Sequence, residues 1–166
     1  PRILTGRGFQ LGSEFRYLDK NNSTTLQFDY LESDNIFGKS RYFKKIDHKT
    51  IFNNGIRARI DYGDTSDGNY FEDLGRNLSL TSITHLNRSL ILDAYGENWS
   101  IFSRFQNFQT IDDAITKGNR PYHRLPQIKI WATHPRQPLG IRASIDTELV
   151  YFDREYGVTG LSLIHI

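Results

Sequence analysis

Residues 141–152 read Ile-Arg-Ala-Ser-Ile-Asp-Thr-Glu-Leu-Val-Tyr-Phe, and this alternation decides the fold. The odd positions are mostly apolar, whereas the even positions from Arg142 to Glu148 are charged or polar. Because successive side chains of a β-strand point to opposite faces, a period of two predicts a strand between two different environments. One face of this strand is apolar and the other is largely ionic.

The same alternation recurs along the chain and predicts an antiparallel meander of about eight strands. In chain order, the predicted strands are 9–18, 24–31, 42–52, 56–62, 78–95, 99–109, 125–133 and 140–153. The fifth stretch poses a choice, because Asn87-Arg88 could form a turn that splits it. However, even-numbered positions are mostly apolar from Leu78 to Ala94, on both sides of Asn87-Arg88. Two separate strands joined by a turn would not be required to keep their apolar residues at even-numbered positions. We therefore expect one long strand there.

The connections between the predicted strands alternate between short and long. Short turns such as Asn53-Asn54-Gly55 fall on one edge, whereas the loops 32–40, 64–77 and 110–124 fall on the other. Outer-membrane barrels have short periplasmic turns and longer extracellular loops, and their strands need roughly 9–11 residues to cross the bilayer. The connections and strand lengths therefore predict an all-β, up-and-down meander that forms part of a transmembrane β-barrel.

Aromatic residues near the ends of the predicted strands support this interpretation. Aromatic girdles mark both interfaces of membrane barrels, although aromatic residues also favour strands in general. Their position at strand ends favours the girdle. The residues concerned are Tyr17, Tyr30, Phe52, Tyr62, Tyr95, Trp99, Tyr151 and Phe152.

The alternation also divides the side chains into two predicted surfaces. In a bilayer the polar face lines the lumen and the apolar face meets lipid, whereas an ordinary solvated face is the alternative for the polar side. The lumen-facing candidates are Glu14, Arg16, Arg57, Arg59, Asp61, Arg142, Asp146 and Glu148. The lipid-facing candidates are Phe28, Ile56, Ala58, Ile60, Ile101, Ile128, Ile130, Ile145 and Leu149. Arg88 falls on the predicted lipid face, so we expect it at an interface or beyond the membrane.

Composition narrows the possible functions. The 166 residues carry 21 basic and 19 acidic side chains, and a net charge of +2 is too balanced to favour nucleic acid. The chain has no cysteine, which excludes disulfides and thiolate metal sites. It also has no methionine, even at position 1, so we expect a processed chain or a fragment.

No motif for catalysis, a metal or a cofactor stands out. The five histidines lack zinc-ligand spacing, and Ser, His and Asp are present without a nucleophile elbow. The acidic residues Asp61, Asp64, Asp67, Glu72 and Asp73 lack the EF-hand pattern, so we expect a solvated extracellular loop rather than a calcium site. The chain is therefore predicted not to be an enzyme.

Several segments, in the same order along the chain, resemble the β-barrel domain of the LptD family, the lipopolysaccharide-assembly proteins of Gram-negative outer membranes. The resemblance covers residues 8–160. The segments that carry it are Gly12-Ser-Glu-Phe-Arg-Tyr-Leu18, Phe28-Asp-Tyr-Leu-Glu-Ser-Asp34, Asp61-Tyr-Gly-Asp-Thr-Ser-Asp-Gly-Asn-Tyr-Phe-Glu-Asp-Leu74, Phe108-Gln-Thr-Ile-Asp-Asp-Ala114, Arg120-Pro-Tyr-His-Arg-Leu-Pro126 and Phe152-Asp-Arg-Glu-Tyr-Gly-Val-Thr-Gly160.

The resemblance implies a large barrel of about 26 strands, of which residues 1–160 would supply an early block of the C-terminal barrel domain. It also implies insertion of lipopolysaccharide into the outer leaflet, with the plug lipoprotein LptE, periplasmic Lpt components and outer-membrane lipid as partners. The family's periplasmic jelly roll, disulfide cysteines and barrel seam are missing from this chain. Residues 161–166 do not resemble the family's continuation, so we expect a non-native tail.

Two other classes stay open at this point. A different outer-membrane barrel, such as a complete eight-stranded barrel, a porin or an outer-membrane enzyme, would share the alternation, because eight strands suffice for closure. A soluble β-sandwich binding module would instead bury its apolar face and would not sort its loops.

Overall fold

The computed structural model describes residues 1–75, 82–134, 140 and 143–165. They form one antiparallel sheet whose ten strands follow each other in chain order, so the predicted all-β meander is confirmed. The strands are β1 (Arg2–Leu4), β2 (Gly8–Leu18), β3 (Asn22–Asp34), β4 (Lys39–Ile51), β5 (Arg57–Thr65), β6 (His85–Tyr95), β7 (Trp99–Thr110), β8 (His123–Thr133), β9 (Ser144–Asp153) and β10 (Gly160–His165).

The sheet has ten strands where the sequence predicts about eight, because the alternation is hard to detect in short segments. β1 has three residues and pairs with β2, and β10 has six residues and pairs with β9. β10 contains most of the predicted tail, although its origin stays a prediction. Within the described residues, β1 and β10 each pair with one neighbour, so the sheet does not close as a complete eight-stranded barrel would.

The predicted long loop 32–40 is wrong. β3 continues to Asp34 through a register shift after Leu31, and Asp34 pairs directly with Lys39 at the start of β4. The carboxylate of Asp34 accepts hydrogen bonds from the backbone N–H groups of Ile36 and Phe37, at 3.0 and 3.2 Å. An aspartate that bonds its own backbone two residues onward stabilises a tight turn, which explains the short connection.

The prediction that Asn87 and Arg88 lie within a strand is confirmed, because β6 runs without interruption from His85 to Tyr95. The predicted start of this strand at Leu78 lies outside the described residues, as do residues 141–142 of the predicted eighth strand.

The connections lie at two edges of the sheet. Among the described residues, the short-turn edge carries 19–21, 52–56, 96–98, 134 and 143, and the long-loop edge carries 5–7, 35–38, 66–75, 82–84, 111–122 and 154–159. The connections that follow β5 and β7 leave the sheet at the same edge as predicted, but 35–38 is short, and β9 begins at Ser144 rather than at the predicted Gly140. The sorting of loops is therefore real but incomplete.

Two short helices lie at the long-loop edge, α1 (Tyr70–Leu74) and a 3₁₀ helix (Lys117–Asn119). Within the described parts of the chain, no helix is both long and apolar enough to cross a membrane. The buried apolar cluster of the molecule lies beneath α1, on one face of the sheet.

Candidate functional site

The strand register divides the sheet into a polar face and an apolar face. Cross-strand partners share a face, and Asp61 pairs with Asp47, Arg59 with Lys49, and Lys129 with Glu148. By this register the described lumen-facing candidates share the polar face, namely Glu14, Arg16, Arg57, Arg59, Asp61, Asp146 and Glu148. Arg142 lies outside the described residues. Whether this face lines a lumen stays a prediction.

The apolar face is continuous across the sheet and is largely exposed. Phe15 is 57% exposed, Ile101 40% and Ile145 52%. By the same register this face holds the predicted residues Phe28, Ala58, Ile60, Ile101, Ile128, Ile130, Ile145 and Leu149. Ala58 is buried among larger neighbours, and Ile56 directly precedes β5. An exposed apolar area of this extent marks contact with lipid or with another protein surface.

Arg88 lies on the apolar face close to the long-loop edge, where it faces Tyr62 across β5 and β6. Its Nη2 donates to Oδ1 of Asp64 at 2.6 Å, and its Nε donates to the carbonyl of Gly63 at 3.0 Å. The guanidinium lies 5.4 Å from the centroid of the Tyr62 ring. Lys44 adds a second cation, 3.6 Å from Asp64. This charged and aromatic group ends the apolar area, as expected for an interface.

The acidic loop after β5 folds onto the polar face instead of extending into solvent, so the predicted solvated loop is wrong. α1 buries Tyr70, Phe71 and Leu74 against Leu31 and Phe43. Phe71 meets Phe43 edge-on, with 5.0 Å between ring centroids. We call this region, formed by Leu31, Asp34, Arg41, Phe43 and residues 66–75, the capped corner.

A charge network holds the capped corner together. Arg41 and Asp34 are fully buried, and Nη1 of Arg41 lies 3.1 Å from Oδ2 of Asp34 and 2.7 Å from Oδ2 of Asp73. Asp67 receives two hydrogen bonds from Arg41, from Nε at 2.9 Å and from Nη2 at 2.6 Å, which is the paired geometry that arginine favours. These contacts link β3 and β4 to residues 66–75.

Arg7, in the turn between β1 and β2, adds a second cation to the network. It lies 2.7 Å from Asp34 and 2.9 Å from Asp73. The hydrogen bond to Asp34 raises the pKa of Arg7, against the opposing effect of burial. Two arginines and three carboxylates therefore pair with one another here, so the corner functions as a structural clamp.

Gly68 allows the loop to lie close to the segment after β7. A Cβ atom on Gly68 would lie 2.5 Å from the carbonyl oxygen of Ile111, which is itself buried in the same cluster. Only glycine fits such a close backbone approach.

The capped corner was not predicted from the sequence. Arg41 is 26 and 32 residues from Asp67 and Asp73, so no local spacing connects them. The signal that could have indicated it is the apolar pair Tyr70-Phe71 within an acidic loop. The expectation of no metal site stays a prediction; among the described residues, no group of three or more possible ligands is close enough to hold a metal ion.

An antiparallel meander with one exposed apolar face and one charged face is characteristic of the walls of transmembrane β-barrels. Comparison with known proteins agrees with this class. Residues 39–160 match the model of the family described as LptD, LPS transport system D. Since the match covers most of the chain, the protein belongs to the LptD family.

Individual relatives extend the match. The chain is 36% identical over 163 residues to the LPS-assembly protein LptD of Nitrosococcus oceani, covering 93% of this chain and 21% of the relative. It is 33% identical over 162 residues to the LPS-assembly protein LptD of Pseudoalteromonas atlantica, covering 96% of this chain and 21% of the relative. The chain thus spans about a fifth of the length of these relatives.

Proposed function

We propose that this chain forms part of the wall of an outer-membrane β-barrel that transports lipopolysaccharide and assembles it into the outer leaflet of a Gram-negative bacterium. The observation that carries the proposal is the exposed apolar face that crosses the sheet opposite a charged face. Membership of the LptD family supports the cargo and the outer-membrane location. The role is transport and assembly, with no bond chemistry assigned to the chain.

The two faces have different roles in this proposal. The apolar face, with Ile60, Ile101 and Ile130, meets outer-membrane lipid, and the charged face lines the lumen. The exposure of the apolar residues supports this orientation, since a soluble sandwich would cover them with a second layer. The position of Arg88 and Asp64 at the long-loop edge supports an interface there.

The partners follow from family membership and are part of the proposal. Lipopolysaccharide is the cargo, the lipoprotein LptE is the plug inside the barrel, and periplasmic Lpt components deliver the cargo. The uncapped part of the charged face, which includes Arg59 and Lys129, offers the polar surface that a plug or sugar chain would contact.

The orientation is tested with spin labels in the full-length protein in bilayers. Labels at Ala58, Ile60, Ile128 and Ile145 should be accessible to oxygen, which concentrates in lipid, and protected from a water-soluble nickel complex. Matched labels at Asp61 and Lys129 on the other face should show the reverse. Immobile labels at Ile60 and Ile128, shielded from both reagents, would indicate a protein core and would contradict the wall.

The cargo is tested in cells by depletion of the full-length protein. We expect lipopolysaccharide on the cell surface to fall while its synthesis continues, and newly made molecules to accumulate inside the cell. An unchanged amount of lipopolysaccharide on the cell surface after complete depletion would refute the transport role. It would not contradict the proposed orientation of the two faces in the membrane.

A further inference from the structure

A row of basic residues crosses the polar face at one level of the sheet. Lys49 pairs with Arg59, Arg59 with Ile91, Ile91 with Arg104, and Arg104 with Gln127. We call Lys49, Arg59 and Arg104 the basic row. The other two residues in this line of cross-strand pairs are Ile91 and Gln127, so the line contains no carboxylate.

Arg104 is the partly buried member of the row that lacks an ionic partner among the described residues, whereas Lys49 is exposed and Arg59 pairs with Asp93. Within the described parts of the chain its side chain makes no ion pair or hydrogen bond, and its buried Nε atom has no partner. Its guanidinium lies 5.1 Å from the centroid of the Phe102 ring. Buried polar groups in folded proteins are almost always paired, so an unpaired guanidinium nitrogen needs an explanation.

The nearby carboxylates of Asp93 and Glu148 are already paired with other basic residues. Asp93 lies 2.8 Å from Arg57 and 3.2 Å from Arg59. Glu148, which attracts Arg104 at longer range, is held by Lys129 at 3.0 Å and by Gln127 at 2.5 Å. These carboxylates therefore leave Arg104 without a direct partner.

Two more acidic residues lie on the side of the long-loop edge, and they are also engaged. Asp61 accepts a hydrogen bond from Asn87 at 2.7 Å, and Asp47 lies 3.4 Å from Lys45. On the same side Arg124 adds another cation, which donates to Gln106 at 2.9 Å. Arg104 thus lies between two other arginines, Arg59 and Arg124.

The basic row lines a groove of about 350 Å³ on the polar face. The groove also contains Asn87, Ser89 and Gln106, which carry neutral hydrogen-bonding groups, together with the engaged carboxylates Asp47 and Asp61. An oxyanion in this groove would meet guanidinium groups that bind in a forked geometry and neutral groups that complete its coordination.

We propose that the groove at Arg59 and Arg104 binds a phosphate group. Phosphate fits better than a single carboxylate, because a phosphate monoester carries close to two negative charges and offers three acceptor oxygens to several cations. Binding would neutralise the charge of Arg104, whose side chain lines the groove. The site is distinct from the capped corner, where arginines and carboxylates pair with one another.

The proposal rests on the proposed function only for the source of the phosphate, which would be the cargo or a lipid headgroup on the polar face. Binding of phosphate itself does not require transport. The two ideas can therefore fail separately, and the experiment measures binding in the purified protein rather than delivery in cells.

The test titrates inorganic phosphate into the purified full-length protein in detergent, with ³¹P NMR as the readout. We expect Arg104→Gln to weaken phosphate binding about tenfold, because it removes charge-assisted hydrogen bonds, and Arg104→Lys to weaken it less. Arg16→Gln is the matched control, since Arg16 lies exposed on the same face next to Glu14 and should leave binding unchanged. Acetate should bind more weakly than phosphate.

Phosphatidic acid and diacylglycerol in the same micelles distinguish a phosphate carried by a lipid from the free ion. Preferential binding of phosphatidic acid that depends on Arg104 indicates a headgroup, and binding of inorganic phosphate alone indicates the free ion. Equal phosphate affinity in wild type, Arg104→Gln and Arg104→Lys would overturn the proposal. So would the absence of phosphate binding in the wild type, or equal affinity for acetate.

Discussion

The capped corner and the strands β7 to β9, which we call the open wall, are parts of one sheet but differ in what covers their faces. In the corner, Phe71 and Leu74 are 3% exposed and Arg41 is completely buried among three carboxylates. In the open wall, Ile101 is 40% exposed and Arg104 has no ionic partner among the described residues. The corner is therefore stabilised by its own contacts, whereas in the proposed barrel the wall would be covered by lipid and ligands.

The largest effect is expected from breaking the charge network of the corner with Arg41→Met. Methionine keeps an unbranched apolar stem but leaves Asp34, Asp67 and Asp73 near one another without the cation that contacts all three. Removal of one partner from a buried ionic network costs about 3–5 kcal/mol. Denaturant unfolding of the full-length protein in detergent measures this loss, and faster proteolysis within residues 66–75 should accompany it.

Arg16→Met is the matched control for this variant. Arg16 is 75% exposed and pairs with Glu14, so its loss should change stability by less than about 1 kcal/mol. If both variants unfold at the same denaturant concentration, the corner does not contribute the stability that its burial indicates.

Leu149→Arg tests the open wall in the same way. Leu149 lies near the middle of β9 on the apolar face, opposite Ile128. An arginine that faces lipid near the bilayer midplane costs roughly 2–4 kcal/mol. The fraction of full-length protein that folds into lipid vesicles should therefore fall, while Asp146→Arg on the polar face should fold normally. Normal folding of Leu149→Arg would contradict the assignment of this face to lipid.

Ile145→Arg should reduce folding into vesicles less than Leu149→Arg, although the alternation places both residues on the apolar face. Ile145 is the second residue of β9 and lies close to the short-turn edge, where an arginine can reach water. The cost of an arginine falls to roughly 0–1 kcal/mol near the interface. Vesicle folding of the two variants measures the difference, and equal losses would mean that the membrane extends beyond the described end of β9.

The contrast between these regions shows how far the sequence can predict the structure. The meander and the composition of both faces follow from alternation, because a period of two is a local property of each strand. Apolar residues such as Leu90 and Leu92 stay at even-numbered positions, and this pattern correctly predicted that β6 continues through Asn87. Strand ends were less predictable: Asp34 caps a tight turn, so β3 and β4 extend into a segment that reads as a loop.

The candidate sites were predicted only in part, and the reason is also physical. The position of Arg59 on the polar face follows from its neighbours in sequence, but the isolation of Arg104 depends on which cations Asp93 and Glu148 engage. The capped corner depends on contacts between residues far apart in sequence, such as Arg41 and Asp73. Such pairings are set by the folded loop and leave no periodic pattern.

The smallest effect concerns Asp19, in the turn between β2 and β3 at the edge opposite the capped corner. Its carboxylate accepts hydrogen bonds from the hydroxyl of Tyr17 and from the backbone N–H groups of Asn21 and Asn22, each at 2.7 Å. The hydrogen bond from Tyr17, followed by those from Asn22 and Asn21, lowers the pKa of Asp19 below its ordinary value. The ionised Asp19 carboxylate therefore stabilises the folded turn fully at a pH above the pKa of an unfolded aspartate, about 3.9. This stabilisation is lost as the pH falls through the lower pKa that Asp19 has in the folded protein.

NMR titration of the Asp19 carboxyl carbon in the full-length protein checks this prediction, with Asp19→Asn to assign the signal. Because the hydrogen bonds are local to the turn, Arg41→Met should disrupt the corner and leave the titration of Asp19 unchanged. Tyr17→Phe removes the hydrogen bond that contributes most to the lowered pKa of Asp19 and should move this pKa back toward its ordinary value. A titration that responds to Arg41→Met but not to Tyr17→Phe would mean that the two edges are coupled, and that the corner stabilises more of the sheet than its own contacts.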